Sequence, residues 1–466
     1  MEVYLVGVKG TGMASLAALL KAMGHQVAGC DVSEHFSTDA LLASAQIPVD
    51  IGFSEELLAP SVDVVIHSSA YGPATPILRT AKERGVKTIS YPDYVAQLSA
   101  RQPSWAVAAT HGKTTTVSVA THLLDSLKDP LPFYALYGGQ LTDRDTVTYR
   151  GDEIGLFEAC EYQDHFLSYQ LSGLLILSIE WEHVDYFADL EAVMASFRAL
   201  ITNLATTATL IYNADDANVQ QIADWARTHR PDLVVIGYGQ SAKGPFQLKE
   251  DNRGTYTLDG ITKSPLPLTV GQRNLVADHV GALILASCMI ASHYGKDVIE
   301  SMLPLIEHLG SYRGAIGRLE VMAIERSITF IDDYAHHPNE ITTTLDEVRR
   351  RYPDYPILVI FSPHTASRTL ALMDGFVSAL GEADSLIIQT TFASARADTA
   401  SKDPAYGLFD RLRVRKTNNV WLAAAEEEVV AHALGWLQER TVCITMGAGN
   451  NRMITDQIIR AMRSKA

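Results

Sequence analysis

The chain has 466 residues, 47% apolar and 20% charged, and carries a formal charge of -16. That length suits about three ordinary domains with their own cores, and the acidic balance argues against a general nucleic-acid or anionic-membrane surface, where a basic patch supplies the affinity. No basic start leads into an apolar run and a cleavage site, no apolar run reads as long enough to cross a bilayer, and Cys30, Cys160, Cys288 and Cys443 lie far apart without metal-ligand spacing. The expectation is a cytoplasmic protein with reduced thiols.

Residues 1–101 read as a small α/β domain. A strand at Val3 to Val6 runs into Gly7-Val8-Lys9-Gly10-Thr11-Gly12-Met13, a helix follows to about Met23, and a second strand from Gln26 ends at Asp31. Gly10 and Gly12 permit close backbone approach to a diphosphate, and Asp31 stands where an acid accepts from ribose hydroxyls. A dinucleotide, another nucleotide diphosphate and a purely structural turn all fit this pattern. A later strand, Val62 to His67, ends in Ser68 and Ser69, hydroxyls placed either for a ligand crevice or for a turn.

Residues 102–308 alternate strands and helices as a mostly parallel sheet does. The central feature is Ala106-Val107-Ala108-Ala109-Thr110-His111-Gly112-Lys113-Thr114-Thr115-Thr116, which reads strand, phosphate loop, helix. Such a turn aims backbone N–H groups and the positive end of a helix dipole at one point; Lys113 then reaches outer phosphates and Thr114 a magnesium ion. The plain alternative is a strand-to-helix turn with a solvated lysine. Two more strands deliver polar groups: Leu156-Phe157 leads to Glu158 and Glu161, and Leu174 to Ile179 leads to Glu180-Trp181-Glu182-His183. Parallel strands share one carboxyl edge, so Glu158 and His183 are expected beside Thr114, either as a set suited to hydrated magnesium and phosphoryl chemistry or as solvated and helix-capping groups at loop starts. Phe246 to Val270 reads as a hairpin, and an apolar helix is expected from about Leu275 to Tyr294.

Residues 309–466 read as a third doubly wound α/β domain. The strand Ile328 to Ile331 delivers Asp332-Asp333-Tyr334-Ala335-His336-His337-Pro338; adjacent histidines point in different directions, so they are expected to make separate contacts. The strand Ile357 to Phe361 leads to Arg368, and strands at Ser385 to Gln389 and Val442 to Met446 follow, the latter running into Gly447-Ala448-Gly449.

In this order the motifs resemble the Mur ligase family. The most specific are Thr-His-Gly-Lys-Thr-Thr-Thr from Thr110, Glu-Ala-Cys-Glu-Tyr-x-x-His-Phe from Glu158 and Asp-Asp-Tyr-Ala-His-His-Pro from Asp332. The resemblance implies three α/β domains with a phosphate-loop ATPase-like centre and ATP-dependent amide synthesis. L-alanine would be joined to the lactyl carboxylate of UDP-N-acetylmuramate through an acyl phosphate, in building peptidoglycan precursors. It implies that His111, Gly112, Lys113, Thr114, Thr115, Asn274, Arg318 and Asp333 meet ATP. Thr114 and Glu158 would hold one magnesium and His183 a second, with manganese as a substitute. His336 and Arg368 would lie near the amino acid or acyl phosphate. Gly10, Gly12, Asp31, Ser68, Ser69 and His111 would hold the sugar nucleotide, Lys113, His183, Arg318 and His336 would serve catalysis, and domain closure would precede chemistry. A monomer or weak homodimer without nucleic-acid or membrane partners is expected.

Some positions differ from the family pattern. Gly317 takes the first place of an Arg-Arg pair, and His-Asn-x-x-Asn stands as Arg273-Asn274-x-x-Ala277. No lysine lies between Lys128 and Lys243, which agrees with the branch lacking a carbamylated lysine. A relative adding a peptide or another amino acid, a nicotinamide oxidoreductase built on Gly10, Gly12 and Asp31, and a nucleotide-binding module without turnover are the alternatives.

Overall fold

Apolar runs such as Leu174-Leu175-Ile176 are buried throughout their length, the condition of a parallel strand covered by helices on both faces. The computed structural model describes residues 1–143, 147–269, 275–391, 403–415, 419–447, 449 and 451–464. Contacts group the chain into two compact units, Met1–Glu34 with Thr38–Ala315, and Ile316–Ala466 with His35–Ser37.

The first unit holds two parallel sheets. One has the order β3-β2-β1-β4-β5, formed by β1 (Glu2–Val6), β2 (Gln26–Asp31), β3 (Val49–Ile51), β4 (Val64–His67) and β5 (Lys87–Ser90). Its order reverses at β1, so the ends of β1 and β4 open the crevice where such sheets bind ligands. The other has the order β11-β10-β9-β6-β8-β7, from β6 (Ser104–Ala108), β7 (Phe133–Leu136), β8 (Ile154–Ala159), β9 (Gly173–Ile176), β10 (Thr209–Asn213) and β11 (Val234–Tyr238). One apolar core serves both, joining Val3, Leu5, Tyr94 and Leu98 to Ala106, Ala108, Tyr134, Phe157 and Phe166. The expected hairpin is present as antiparallel β12 (Leu248–Glu250) and β13 (Tyr256–Leu258).

The helix Val276–Tyr294 is long and apolar enough to cross a membrane, which the sequence reading did not anticipate. Here it is a core helix: Val280, Leu283, Ile284 and Met289 are fully buried against Val117, Leu123 and Leu124 of the helix Lys113–Asp125.

The second unit carries the order β14-β15-β19-β16-β17-β18, from β14 (Glu320–Glu325), β15 (Ile328–Asp333), β16 (Ile357–Ser362), β17 (Ser385–Gln389), β18 (Val420–Ala423) and β19 (Val442–Gly447). Among the described residues only its β14–β15 pair is antiparallel. Separate cores cover its two faces, one around Phe361 and Phe376 and one around Phe330 and Ile458. All three sheets are thus the mostly parallel, doubly wound kind expected.

Candidate active site

β6 lies between β8 and β9, with Val107 opposite Glu158 and Ala108 opposite Ile176. Because all three strands are parallel, the loops after them meet at one edge, which brings Lys113, Thr114, Glu158 and His183 together and adds Glu161, for which the sequence offered no partner. Gly112 has φ +84, a left-handed conformation that an L side chain adopts only with strain, and it caps the helix Lys113–Asp125. Lys113 and Thr114 therefore begin a helix whose first N–H groups suit an anion, with Thr115 following in the same turn. The His111 N–H donates to Ser178 Oγ at 3.2 Å and its ring lies 3.6 Å from Glu180, so the loop after β9 braces the phosphate loop.

Two polar pairs occupy this edge. Thr114 Oγ1 donates to Glu158, 3.1 Å from each carboxylate oxygen, and the Gly138 N–H donates to Glu158 Oε2 at 2.8 Å. Lys113 Nζ lies 2.9 Å from Glu161 Oε2 and 3.1 Å from Thr110 O, while His183 Nε2 lies 3.4 Å from Glu161 Oε1. Burial alone would lower the Lys113 ammonium, but Glu161, Cys160 and Glu158 outweigh it and hold the pKa above lysine's ordinary value. Burial would likewise raise Glu161, yet Lys113 and His183 bring it below the carboxylate range. For His183, burial opposes the charge while Cys160 and Glu161 favour it, and the result is a pKa raised to about 9.

These shifts give the metal-free protein a defined pH profile. The His183 contribution to stability is complete below the ordinary imidazole value of 6.5 and is lost as pH rises through about 9. The Glu161 contribution is present above the ordinary value of 4.5 and is lost as pH falls through the lowered one. Between those two ordinary values this pair therefore contributes a constant amount to stability. His183→Gln should make the fall in thermal midpoint between pH 6.5 and about 9 shallower; an unchanged slope over that interval in the variant contradicts the assignment.

The sugar-nucleotide candidates sit at the edge of the first sheet. Gly10 caps the helix Thr11–Ala22, a Cβ on Gly12 would lie 2.7 Å from the Tyr91 hydroxyl, and Ser68 and Ser69 follow β4 with Ser69 exposed. The Asp31 carboxylate accepts from the N–H groups of Lys9 at 2.7 Å and Val32 at 2.8 Å and from Tyr71 Oη at 3.3 Å. It therefore ties the glycine turn to β2 as well as standing at the strand end. A Cβ on Gly138 would lie 3.6 Å from Thr11 Cγ2 and 3.5 Å from Glu158 Oε2. The glycine turn of the first sheet thus lies one residue away from the Thr114–Glu158 pair.

In the second unit, Arg318, Asp333, His336 and Arg368 also converge. The Arg318 guanidinium lies over the Tyr334 ring at 5.0 Å, the Tyr334 ring meets His336 edge-on at 5.0 Å, and His336 meets His364 edge-on at 5.6 Å. His364 Nδ1 is 3.0 Å from Arg368 Nη1, and Arg368 is buried. Asp333, at the end of β15, accepts from Thr344; burial raises its pKa, opposed by Thr344 and Arg318. The adjacent histidines do part company: His337 caps the helix Pro338–Arg351, while His336 Nδ1 donates to Tyr334 O at 2.9 Å. Asn274 and Arg273 lie outside the described residues.

Sequence reasoning passed over three neighbours. Gly138 and His364 carry no motif signal, and the role of Asp278 is visible only in three dimensions. The Asp278 carboxylate oxygens stand 3.0 Å from where a Cβ on Gly112 would be, and burial raises its pKa to about 7, with His111 opposing.

Comparison with known proteins gives the family. Residues 2–103 match the Mur ligase family catalytic domain, 107–270 the Mur ligase middle domain, and 317–449 the Mur ligase glutamate ligase domain. The UDP-N-acetylmuramate--L-alanine ligase of Treponema pallidum is 34% identical over 97% of this chain and 94% of its own length. The chain belongs to the Mur ligase family. Another Mur ligase, the UDP-N-acetylmuramate--L-alanine ligase of Borreliella burgdorferi, is 31% identical over 98% of both chains. The crystal structure of the UDP-N-acetylmuramate-alanine ligase of Thermotoga maritima shares the fold with TM-score 0.78 at 21% identity, covering 100% of both chains. A murein peptide ligase from Psychrobacter arcticus shares it with TM-score 0.68 at 20% identity, covering 99% and 98%.

Proposed function

We propose that this Mur ligase joins L-alanine to the lactyl carboxylate of UDP-N-acetylmuramate, converting ATP to ADP and phosphate. The observation that carries the reading is the meeting of Lys113, Thr114, Glu158 and His183 at one sheet edge, in a chain whose near full-length relatives bear that activity as their name. The Gly138 contact supports the same reading, because it sets a sugar-nucleotide turn beside the phosphate loop.

A carboxylate does not acylate an amine in water, so it must first be activated and then shielded. In this reading the lactyl oxygen attacks the γ-phosphorus and ADP leaves; the alanine amine then attacks the acyl carbon and phosphate departs with the former carboxylate oxygen. Lys113 and the N–H groups of Gly112 and Thr115 hold the phosphates beside His111, contributing positioned positive charge rather than covalent chemistry. Arg318, Asp333 and Asn274 bind nucleotide, His336 and Arg368 serve the amino acid or acyl phosphate, and Gly10, Gly12, Asp31, Ser68, Ser69 and His111 hold the sugar nucleotide. The Thr114 hydroxyl and Glu158 carboxylate are hard oxygen donors and fit magnesium or manganese, with His183 toward a second ion; the bound cation would neutralise phosphate charge. The reading places the enzyme in the cytoplasm as a monomer or weak homodimer acting on small molecules.

Phosphate release from ATP and magnesium, with UDP-N-acetylmuramate and each amino acid or a tripeptide in turn, tests the proposal. Release should require both L-alanine and the sugar nucleotide. Release with the tripeptide alone would transfer the assignment to peptide addition, and ATP binding without any release would overturn the catalytic reading.

A further inference from the structure

Cys160 follows β8 directly and is the partly exposed one of the four cysteines; Cys30, Cys288 and Cys443 are buried. A sulfur, a Glu161 carboxylate oxygen and a His183 ring nitrogen lie within 4.8 Å of one another. The groups are held rather than loose. Glu161 is 1% exposed, the Tyr162 ring packs 4.7 Å from His183, and Tyr162 Oη donates to Asp185 at 2.8 Å.

This donor set has a different preference from the Thr114–Glu158 pair. Zinc takes thiolate sulfur at about 2.3 Å and imidazole nitrogen or carboxylate oxygen at about 2.0–2.2 Å in a tetrahedron. Three such donors already gathered to this spacing need only small side-chain shifts to close on one ion. Magnesium, by contrast, wants near-octahedral oxygen and gains little from sulfur. Two anionic ligands, the Cys160 thiolate and Glu161, balance a divalent charge. Lys113 Nζ lies 2.9 Å from Oε2 of Glu161 and 3.4 Å from Oε1, and His183 Nε2 lies 3.4 Å from Oε1, so a cation on Oε1 competes with the lysine's longer contact and leaves the shorter one on Oε2.

We propose that Cys160, Glu161 and His183 form a binding site for zinc or another borderline divalent cation, whose occupation engages the His183 imidazole and so inhibits turnover. The sulfur binds as thiolate and the imidazole through an unprotonated nitrogen, so any proton either carries leaves to solvent. The inhibition rests on the ligase reading; the binding does not.

Cobalt(II) titration of the full-length, nucleotide-free protein tests the site without turnover. A near-ultraviolet thiolate-to-cobalt charge-transfer band should rise to one equivalent and disappear when zinc is added. Cys160→Ser should abolish the band and weaken cobalt binding by about tenfold or more, in line with the losses seen when metal-site partners are removed. Far-ultraviolet circular dichroism checks that the variant is folded; if it is not, alkylating the thiol of the wild-type protein must abolish the band instead. Absence of the band in wild-type protein, or its persistence after serine substitution or alkylation, overturns the site. In the ligase assay at constant excess magnesium, Cys160→Ser should require about tenfold more zinc for half inhibition. Equal zinc sensitivity of the two proteins would overturn the regulatory half while the cobalt result stands by itself.

Discussion

Lys113→Met is expected to lower kcat by about 10²–10³ or more and to destabilise the fold at the same time. The first effect follows from removing a positioned cation at the phosphate loop, where charge is stabilised without reorganisation. The second follows from Glu161, which is 1% exposed and shares its carboxylate between Lys113 at 2.9 Å and His183 at 3.4 Å. Removing one partner of a buried ion pair costs about 3–5 kcal/mol when nothing replaces it, and the remaining His183 contact places the loss toward the lower end. The two effects separate in the double variant Lys113→Met with Glu161→Gln, which should recover most of the stability and none of the turnover. Denaturant unfolding and phosphate release measure them independently. A single variant that is destabilised yet keeps most of its turnover would make the lysine a structural residue.

Gly447→Ala should be the most damaging small substitution in the second unit. Gly447 ends β19 in register with Ser362 of β16, has φ +99, and a Cβ there would come 2.1 Å from the Ser362 carbonyl oxygen. Both strands are interior to their sheet, so neither backbone can withdraw without breaking its ladder. Gly52 supplies the control, since it has φ +93 with nothing within 4 Å of the added methyl. Gly52→Ala should cost only the left-handed backbone penalty, about 1–2 kcal/mol, and Gly447→Ala at least about 3 kcal/mol. Equal losses in urea titrations of the two variants would show that conformation, rather than close approach, sets the damage.

The phosphate loop was legible because strand, glycine turn and helix are consecutive in sequence, and parallel strand order then predicts that Glu158 and His183 join it. Partners that depend on folding were not. Glu161 reads as a second acid at a strand end; only the return of Lys113 toward Thr110 and Ala109 makes it the counter-ion of the lysine. Asp31 shows the same limit, because a strand-end acid looks alike whether it faces a ribose or accepts from Lys9, Val32 and Tyr71. β14 escaped notice because it is a half-exposed edge strand, Glu320–Glu325, with acids at both ends and the exposed apolar residues Val321 and Ile324 between them, so no core-facing alternation marks it.

The core that the first two sheets share has a practical consequence. Gln170 N donates to Ser99 Oγ at 3.0 Å, Gln102 donates to Tyr134, and Phe157 packs in the same apolar cluster as Leu5. Cutting the chain near residue 102 would strip apolar surface from both pieces, so neither should survive alone as a well-behaved fragment. Proteases that nick the intact protein should spare that junction. Amide protons of β1 and β6 should exchange together, at one rate set by a shared opening.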